Sequence, residues 1–193
     1  MASSIRHARN YLVYDGQSLL TLPAGNTVPT LLANVFTTTF RANPAVGGAS
    51  WTYLLRTMPE RVAKYFKTSP NTILIMLGGT SDIYTDNDTA QKVYDDHAAY
   101  AVAARAAGAD YIICCTITPS DIFSAGQEII RAAANVKILA DASVAFNAVC
   151  NIAAVSGLDN YASAYYSDAL HFSITGAQLC ADTIAPYITA ALA

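Results

Sequence analysis

Charged residues are scarce in this sequence, and those of positive sign are not in excess. Lys, Arg, Asp and Glu together make up 13% of the 193 residues, and the formal net charge is −3. Because proteins that bind nucleic acid present a basic patch to the phosphates, this composition predicts no nucleic-acid partner. No apolar run approaches the roughly 18 residues that a membrane-spanning helix requires, so no membrane span is predicted.

The N-terminal segment lacks the apolar stretch and the small-residue cleavage site of a secretory signal peptide. Residues 1–16, MASSIRHARNYLVYDG, instead mix polar, basic and aromatic side chains. We therefore expect a mature or non-secreted chain. The sequence leaves its location open between the cytoplasm and a larger secreted or virion assembly.

Motifs for metals and nucleotides are also missing. The four cysteines, Cys114, Cys115, Cys150 and Cys180, form no C-x-x-C pair and have no histidine at zinc-binding spacing, so we predict reduced packing residues. Residues 86–88 (DND) lack the glycine and the terminal glutamate of a calcium loop. The phosphate-binding motifs G-x-x-x-x-G-K-[ST] and G-x-G-x-x-G are absent. No metal or organic cofactor is therefore predicted.

Apolar residues, by contrast, are abundant and arranged in short runs. They make up 53% of the chain, and no linker or repeat divides it, so a single domain over residues 1–193 is expected. The runs at 10–14, 40–46, 72–77 and 110–116 are predicted to be buried strands. Helices are predicted at 28–36, from a capping box at 57–60 to 66, from a cap at Asp88 to Gly108, at 126–155 with or without a break, and at 174–191 with a kink or end near Pro186. This alternation predicts a three-layer α/β/α sandwich around a mostly parallel, flavodoxin-like sheet.

Small polar turns follow three of the predicted strands. Residues 15–20 (DGQSLL), 47–51 (GGASW) and 78–82 (GGTSD) stand at these strand ends, and residues 168–171 (DALH) precede the last helix. Ligands bind at the carboxyl ends of parallel strands, so these segments are expected to meet. Acyl transfer needs a nucleophile, a base, a group that orients the base, and donors for the oxyanion. The four segments contain a candidate for each.

Ser18 is the candidate nucleophile, His171 the base, and Asp168 the group that orients the imidazole. Each also has a plain structural interpretation: Ser18 as a turn or helix cap, and Asp168 as a solvated loop carboxylate. The other two histidines, His7 in a polar N-terminal stretch and His97 within a helical pattern, are predicted to be structural.

The order Ser…Asp-x-x-His, with two glycine turns between, resembles the SGNH (GDSL) hydrolase family. Residues 16–19 (GQSL), 43–48 (NPAVGG), 79–82 (GTSD) and 168–171 match the family's blocks I, II, III and V in order, within a resemblance from Tyr11 to about Pro186. The resemblance implies a serine ester hydrolase with Ser18, His171 and Asp168 as catalytic residues. It also implies an oxyanion hole formed by Ser18, Gly48 and Ser81.

Two positions depart from the family pattern. Gln17 replaces the Asp of block I, a change expected to be tolerated because that Asp is not the nucleophile. Ser81 stands where the family has the oxyanion-hole Asn; its hydroxyl can still donate one hydrogen bond, but it is shorter and rotates freely. Losing one oxyanion donor costs roughly 3–4 kcal/mol, so the enzyme could be slower, could recruit Thr80, or could have lost hydrolysis.

Two functions follow from these observations. The first is a serine esterase or deacylase acting on a small-molecule or glycan ester, with an O-acetyl group favoured because a chain this short has little room for a lid. The second is a weakened or inactive module of the same fold, serving glycan binding or a structural role on a particle or envelope such as a phage tail. Aromatic and polar residues near the blocks line the substrate or, alternatively, pack the core: Trp51, Thr80, Tyr161, Tyr165 and Tyr166. The oligomeric state is left open.

Overall fold

The computed structural model describes residues 10–66, 71–141 and 144–193, so His7 lies outside the described residues. Its sheet has five strands: β1 Tyr11–Gly16, β2 Phe40–Ala42, β3 Thr72–Leu77, β4 Tyr111–Cys115 and β5 Ala148–Cys150. They lie in the order β2-β1-β3-β4-β5, and every neighbouring pair is parallel. The predicted flavodoxin-like parallel sheet is therefore confirmed.

Helices cover both faces of this sheet. They are α1 Val28–Val35, α2 Trp51–Arg61, α3 Thr80–Tyr84, α4 Ala90–Ala106, α5 Ala125–Ala140 and α6 Ile174–Leu192, with short 3-10 turns at Ser18–Leu20, Ala63–Tyr65 and Ile152–Ala154. The apolar sides of α2, α4 and α5 share one core cluster with one face of the sheet. Those of α1 and α6 share a second cluster with the other face. The three-layer α/β/α sandwich is confirmed.

The central strand β3 shows why the short apolar runs become strands. All six of its residues are buried, because helices cover it above and below and strands flank it on both sides. Alternate side chains point to opposite faces. Leu74 and Met76 belong to the α2–α4–α5 cluster, whereas Ile73 and Ile75 belong to the α1–α6 cluster. Each such burial contributes about 1.5–3 kcal/mol.

The capping box predicted at residues 57–60 is wrong. These residues lie inside α2, which begins at Trp51 and contains Pro59 within its last turn. Trp51, Leu54 and Met58 are all buried along one side of α2, so an uninterrupted apolar face overrides the local cap signal. The hydroxyl of Thr57 instead donates to the carbonyl of Tyr53 at 3.0 Å, within the same helix.

The start of α4 also differs by one residue from the prediction. Thr89, not Asp88, is its N-cap, and the Thr89 hydroxyl accepts a hydrogen bond from the backbone N–H of Lys92. Asp88 lies outside the cap, with its carboxylate 3.8 Å from the Lys92 ammonium. At the other end of the chain, α6 continues past Pro186 to Leu192, so it does not end at that proline.

The helix predicted over residues 126–155, with a break left open, is confirmed in its first part and wrong in its second. The first part is α5, which ends at Ala140, and the second part contains the three-residue strand β5. β5 pairs with the end of β4, where Cys115 lies opposite Cys150. The strand predicted at 40–46 is shorter as well, because only Phe40–Ala42 pairs with β1.

All four cysteines are buried and free, as predicted. Within the described ranges, no helix combines the length and the apolarity that crossing a bilayer would require.

Candidate active site

Ser18 stands at the carboxyl edge of the sheet, on a sharp turn after β1. The strand ends at Gly16, where a Cβ atom would lie only 1.8 Å from the carbonyl oxygen of Leu77 on β3. Glycine is therefore required for the close approach of the two strands. Leu19 and Leu20 are buried and fix the 3-10 turn, while Ser18 itself is half-buried. The Ser18 hydroxyl thus faces the surface from a rigid support.

His171 and Asp168 form a hydrogen-bonded series with Ser18. Nε2 of His171 lies 2.9 Å from Oγ of Ser18, although the two residues are 153 positions apart in the sequence. Nδ1 of the same ring lies 2.9 Å from Oδ2 of Asp168. The structure therefore brings together the three residues that the sequence nominated from opposite ends of the chain.

The carboxylate of Asp168 determines which imidazole nitrogen carries the proton. Its Oδ1 accepts the backbone N–H groups of Leu170 at 2.8 Å and of His171 at 2.7 Å. Partial burial raises the pKa of Asp168, but the hydrogen bonds from these N–H groups and from the imidazole outweigh it, so the pKa lies below its usual value. An ionised carboxylate only accepts hydrogen bonds, so Nδ1 is the donor and Nε2 is free to accept from Ser18.

Hydrogen bonds to the loop after β4 hold the 168–171 segment in place. The carbonyl of Ala169 accepts from the Ser120 hydroxyl at 2.7 Å and from the backbone N–H of Asp121 at 2.9 Å. The backbone N–H of Ser167 donates to the carbonyl of His171 at 2.8 Å. These bonds restrict the position of the imidazole relative to the sheet.

Gln17, at the position of the family's block I Asp, bridges two neighbouring loops. Its Nε2 donates to the carbonyl of Ala49 at 2.7 Å, and its Oε1 accepts the backbone N–H of Thr80 at 3.1 Å. The side chain is 2% exposed, so water does not compete for either bond. An amide suits this place because it donates and accepts at once. No sequence pattern predicts this bridge, since its partners are backbone atoms.

A cavity of about 240 Å³ lies against the loop that follows β2, and we call it the Gly48 cavity. It is lined by residues 46–50, Tyr53 and Asp86. A Cβ atom at Gly47 would lie 3.7 Å from the Cβ of Ser18, so this loop passes next to the Ser18 side chain. Gly48 has a φ of +72°, a conformation that side chains other than glycine rarely adopt.

Several residues expected to line the substrate are instead buried. Trp51 is 0% exposed and packs against His97 and Tyr100, with ring centroids 4.9 Å apart in each case, so of the two positions left open for it, it takes the core and not the cleft. Thr80 is 4% exposed and Tyr166 8%. Because Trp51 faces the core, Tyr53, two residues along the helix, faces outward into the Gly48 cavity. Helical periodicity indicates that Trp51 and Tyr53 face different directions, so it could have predicted that Tyr53 and not Trp51 faces the cavity.

Tyr165 remains at the surface, with 36% of its area exposed, as does Tyr161 with 39%. Ser81 lies in α3 and is buried, with 8% of its area exposed. His97 is buried, and burial lowers its pKa to about 4, so its ring is neutral and structural, as predicted.

A buried ion pair between Asp15 and Arg61 connects the end of β1 to α2. Asp15 is 0% exposed, and its Oδ2 accepts from the Arg61 guanidinium at 2.9 Å and from the Tyr100 hydroxyl. Arg61 also donates to the carbonyl of Pro44 at 2.6 Å. Burial raises the pKa of Asp15, while Arg61 and Tyr100 oppose that shift. This network connects β1, α2, α4 and the loop that carries Gly48.

Asp82, the last residue of block III, ties α3 to the start of α2. Its Oδ1 accepts the backbone N–H of Trp51 at 2.8 Å, and its Oδ2 is buried without a hydrogen-bond partner among the described residues. Burial raises the pKa of Asp82 to about 7.

Asp82, Asp88 and Asp96 form a cluster of carboxylates. One oxygen of each lies within 4.8 Å of the others, and this is the one grouping among the described residues that could hold a metal ion. The Lys92 ammonium contacts Asp96 at 2.5 Å and so partly neutralises this group.

The comparisons with known proteins found similar structures but no similar sequence. No protein-family model matches the sequence, and no match was found among curated proteins. Solved structures do match. A member of the lipolytic G-D-S-L family from Veillonella parvula superposes with a TM-score of 0.79 at 18% identity, over 93% of this chain and 98% of that one.

Two further structures match at similar identity. TesA gives a TM-score of 0.70 at 16% identity, over 92% of this chain and 97% of that one. The acetyl xylan esterase AlAXEase gives 0.72 at 15% identity, over 92% and 99%. The fold is therefore that of the SGNH (GDSL) hydrolases, and the resemblance predicted from the four sequence blocks is confirmed at the level of the fold.

Proposed function

We propose that this protein is a serine ester hydrolase in which Ser18 is the nucleophile, His171 the general base and Asp168 the residue that orients the base. The observation that carries the proposal is the hydrogen-bonded series from the Ser18 hydroxyl through the imidazole to the Asp168 carboxylate, with 2.9 Å at each step. The fold shared with ester hydrolases supports it.

The reaction follows from the direction of the hydrogen bonds. Oγ of Ser18 attacks the ester carbonyl carbon while Nε2 of His171 takes the hydroxyl proton, and Asp168 stabilises the resulting imidazolium. The oxyanion accepts hydrogen bonds from the backbone N–H groups of Ser18 and Gly48 and from the Ser81 hydroxyl. His171 then gives its proton to the departing alcohol, leaving an acyl-enzyme.

Water completes the cycle. His171 takes a proton from a water molecule, whose oxygen attacks the acyl carbonyl. Collapse of the second tetrahedral intermediate breaks the bond to Ser18 Oγ, and His171 returns the proton to that oxygen. The carboxylic acid leaves, and the serine is regenerated. None of these steps uses a group other than substrate, water and the named residues.

A small ester, such as an O-acetyl group on a glycan, is the substrate class we propose. The Gly48 cavity has a volume of about 240 Å³, below the roughly 300–1,000 Å³ of pockets for drug-sized ligands. The ring of Tyr53 at its edge is a flat apolar surface against which a sugar ring can stack. One structural neighbour is an acetyl xylan esterase, which supports the same class.

The test is hydrolysis of 4-nitrophenyl acetate by the wild type and by Ser18→Ala. Loss of the nucleophile is expected to lower kcat by at least about 10³-fold. Ser156→Ala is the matched control, because Ser156 is an exposed serine that takes no part in the proposed mechanism. Equal activity of Ser18→Ala and wild type, with both folded by circular dichroism, would overturn the proposal.

The exchange of the block III Asn for Ser81 favours one second function, a module that keeps the fold but not the chemistry. Such a module would bind glycan esters or serve a structural role on a particle or envelope. It predicts wild-type turnover no higher than that of Ser18→Ala for every ester tried. Ser81→Asn restores the residue of the family pattern. If the weak oxyanion donor is the sole defect, this substitution raises turnover above that of the wild type.

A further inference from the structure

A second cavity lies at the edge of the sheet, on the face covered by α1. It has a volume of about 240 Å³, and we call it the Arg41 cavity. Its lining residues are Tyr14, Thr27, Pro29, Thr30, Arg41, Ala42 and Asn43. Leu12 pairs with Arg41 in the sheet, so Arg41 lies on the same face as Leu12 and Tyr14. Asp15 points to the opposite face, where it binds Arg61.

The hydroxyl of Tyr14 is the most unusual feature of this cavity. Tyr14 is 0% exposed, and its hydroxyl has no hydrogen-bond partner among the described residues. Buried polar atoms are almost always hydrogen-bonded, since leaving one unpaired is unfavourable. Burial raises the pKa of Tyr14, an effect that the charge of Arg41 opposes, so the phenol keeps its proton and can act as a donor.

The other polar groups of the cavity are donors as well. No hydrogen bond or ion pair of the Arg41 guanidinium is found within the described part of the chain, which leaves its five N–H groups available. The hydroxyls of Thr27 and Thr30 are 2.8 Å apart. One bond between two hydroxyls uses one hydrogen, so the second hydrogen is free to donate.

The electrostatic potential in the cavity is positive, which also favours an anion. Thr27 caps the start of α1, and the first turn of a helix carries a partial positive charge. None of the residues that line the cavity is Asp or Glu. An uncompensated guanidinium, an unpaired phenol and a helix start therefore surround a space that contains no negative charge.

We propose that the Arg41 cavity binds a small oxyanion, either a carboxylate or a phosphate group. The guanidinium of Arg41, the hydroxyl of Tyr14 and a hydroxyl from the Thr27–Thr30 pair donate hydrogen bonds to its oxygens. The unpaired phenol gains its missing partner, and the ligand's charge balances that of Arg41. This binding does not depend on the proposed ester hydrolysis, since none of its donors belongs to the Ser18–His171–Asp168 series.

The test is titration of the full chain with sodium phosphate and, separately, sodium acetate at constant ionic strength, followed by calorimetry or amide NMR shifts. Saturable binding of at least one anion is expected. Tyr14→Phe removes one oxygen that makes no hydrogen bond in the free protein, so it is expected to leave thermal stability unchanged or higher while weakening binding about tenfold or more. Arg41→Gln is expected to weaken it at least as much.

Matched controls separate the site from general effects. Tyr187→Phe and Arg56→Gln make the same chemical changes elsewhere and are expected to bind as the wild type does. Ser18→Ala is expected to bind normally too, so loss of esterase activity and loss of anion binding are distinguishable. Absence of saturable binding for both anions, or wild-type affinity in both Tyr14→Phe and Arg41→Gln, overturns the proposal.

The source of the anion is decided by kinetics. Asn43, which lines the cavity, begins the segment 43–48 that also carries Gly48, so the anion is either an acidic group of the substrate or a free anion. If the bound anion is such a group, phosphate or acetate raises the KM for an acidic ester and not for 4-nitrophenyl acetate. If it is a free anion, neither KM changes, while binding remains.

Discussion

Replacing Gln17 by Glu changes a single atom in a buried bridge. In the wild type, Nε2 donates to the carbonyl of Ala49 at 2.7 Å, and Oε1 accepts from the N–H of Thr80 at 3.1 Å. An ionised Glu can accept from Thr80 but has nothing to donate to Ala49. It would place a negative charge against a carbonyl oxygen at a site that is 2% exposed.

The effect should depend on pH, and its sign can be worked out. A protonated Glu at this position can still donate its O–H to Ala49, so burial raises its folded-state pKa above the unfolded value of about 4.3. The native state then binds more protons than the unfolded state, so the variant loses stability as pH rises above that value. The unpaired carbonyl and the buried charge together cost about 1–3 kcal/mol at pH 8.

The assay is thermal unfolding of wild type and Gln17→Glu at pH 5 and pH 8. For a chain of this length, 1 kcal/mol corresponds to about 2–4 °C in Tm, so a deficit of about 2–12 °C is expected at pH 8 and a smaller one at pH 5. Asn160→Asp is the control, because it makes the same amide-to-carboxylate change at an exposed loop position where only the side-chain oxygen is used, accepting from the N–H of Ala162 at 2.9 Å. Because both loops of the bridge flank Ser18, kcat should also fall. Equal Tm values for Gln17→Glu and wild type at pH 8 would refute the reasoning.

Three further changes test other parts of the site. Asp168→Asn should lower kcat about 10³-fold or more with little effect on folding, because the amide can donate to Nδ1 and so favour the wrong imidazole tautomer; unchanged kcat would contradict this. Asp82 has a pKa raised from 3.8 to about 7, so its native state binds the extra proton and wild-type stability should fall as pH rises from 4 to 7. In Asp82→Asn the decrease in the free energy of unfolding between pH 4 and pH 7, measured by urea unfolding, should be smaller than in the wild type by up to roughly 4 kcal/mol. An equal decrease in variant and wild type would exclude the buried Asp82 charge as the cause. Tyr100→Phe removes a donor to Asp15 and should lower the free energy of unfolding by about 1–3 kcal/mol, with Tyr84→Phe as the neutral control; a loss no greater than that of the control would contradict it.

The strands and the residues of the Ser18–His171–Asp168 hydrogen-bonded series were predictable because their signals are local. β1, β3 and β4 are short apolar runs buried on both sides, and their pattern is contained within each run. Ser18 and the Asp168–His171 pair stand in compact segments whose spacing carries chemical meaning. Parallel topology then brings strand ends together, so the meeting of the two ends of the chain followed from the fold class.

Other features depend on contacts that no local pattern contains. β5 has three residues, too few to show the alternation of a strand, and it forms only because β4 offers a free edge. Pairing of Asp15 with Arg61 joins residues 46 positions apart, and each alone reads as an ordinary surface charge. The position of Trp51 was left open between cleft and core because the helix that carries it was expected to begin six residues later, so no helical face could be assigned to it.

The central claim is that Ser18 is an activated nucleophile, and covalent labelling tests it most directly. The wild-type protein is treated with a fluorophosphonate, digested, and mapped by mass spectrometry. The account predicts a single phosphonylated peptide with the label on Ser18, and no label at that peptide in His171→Ala. Absence of labelling in the folded wild type, or a label on another serine, would contradict it.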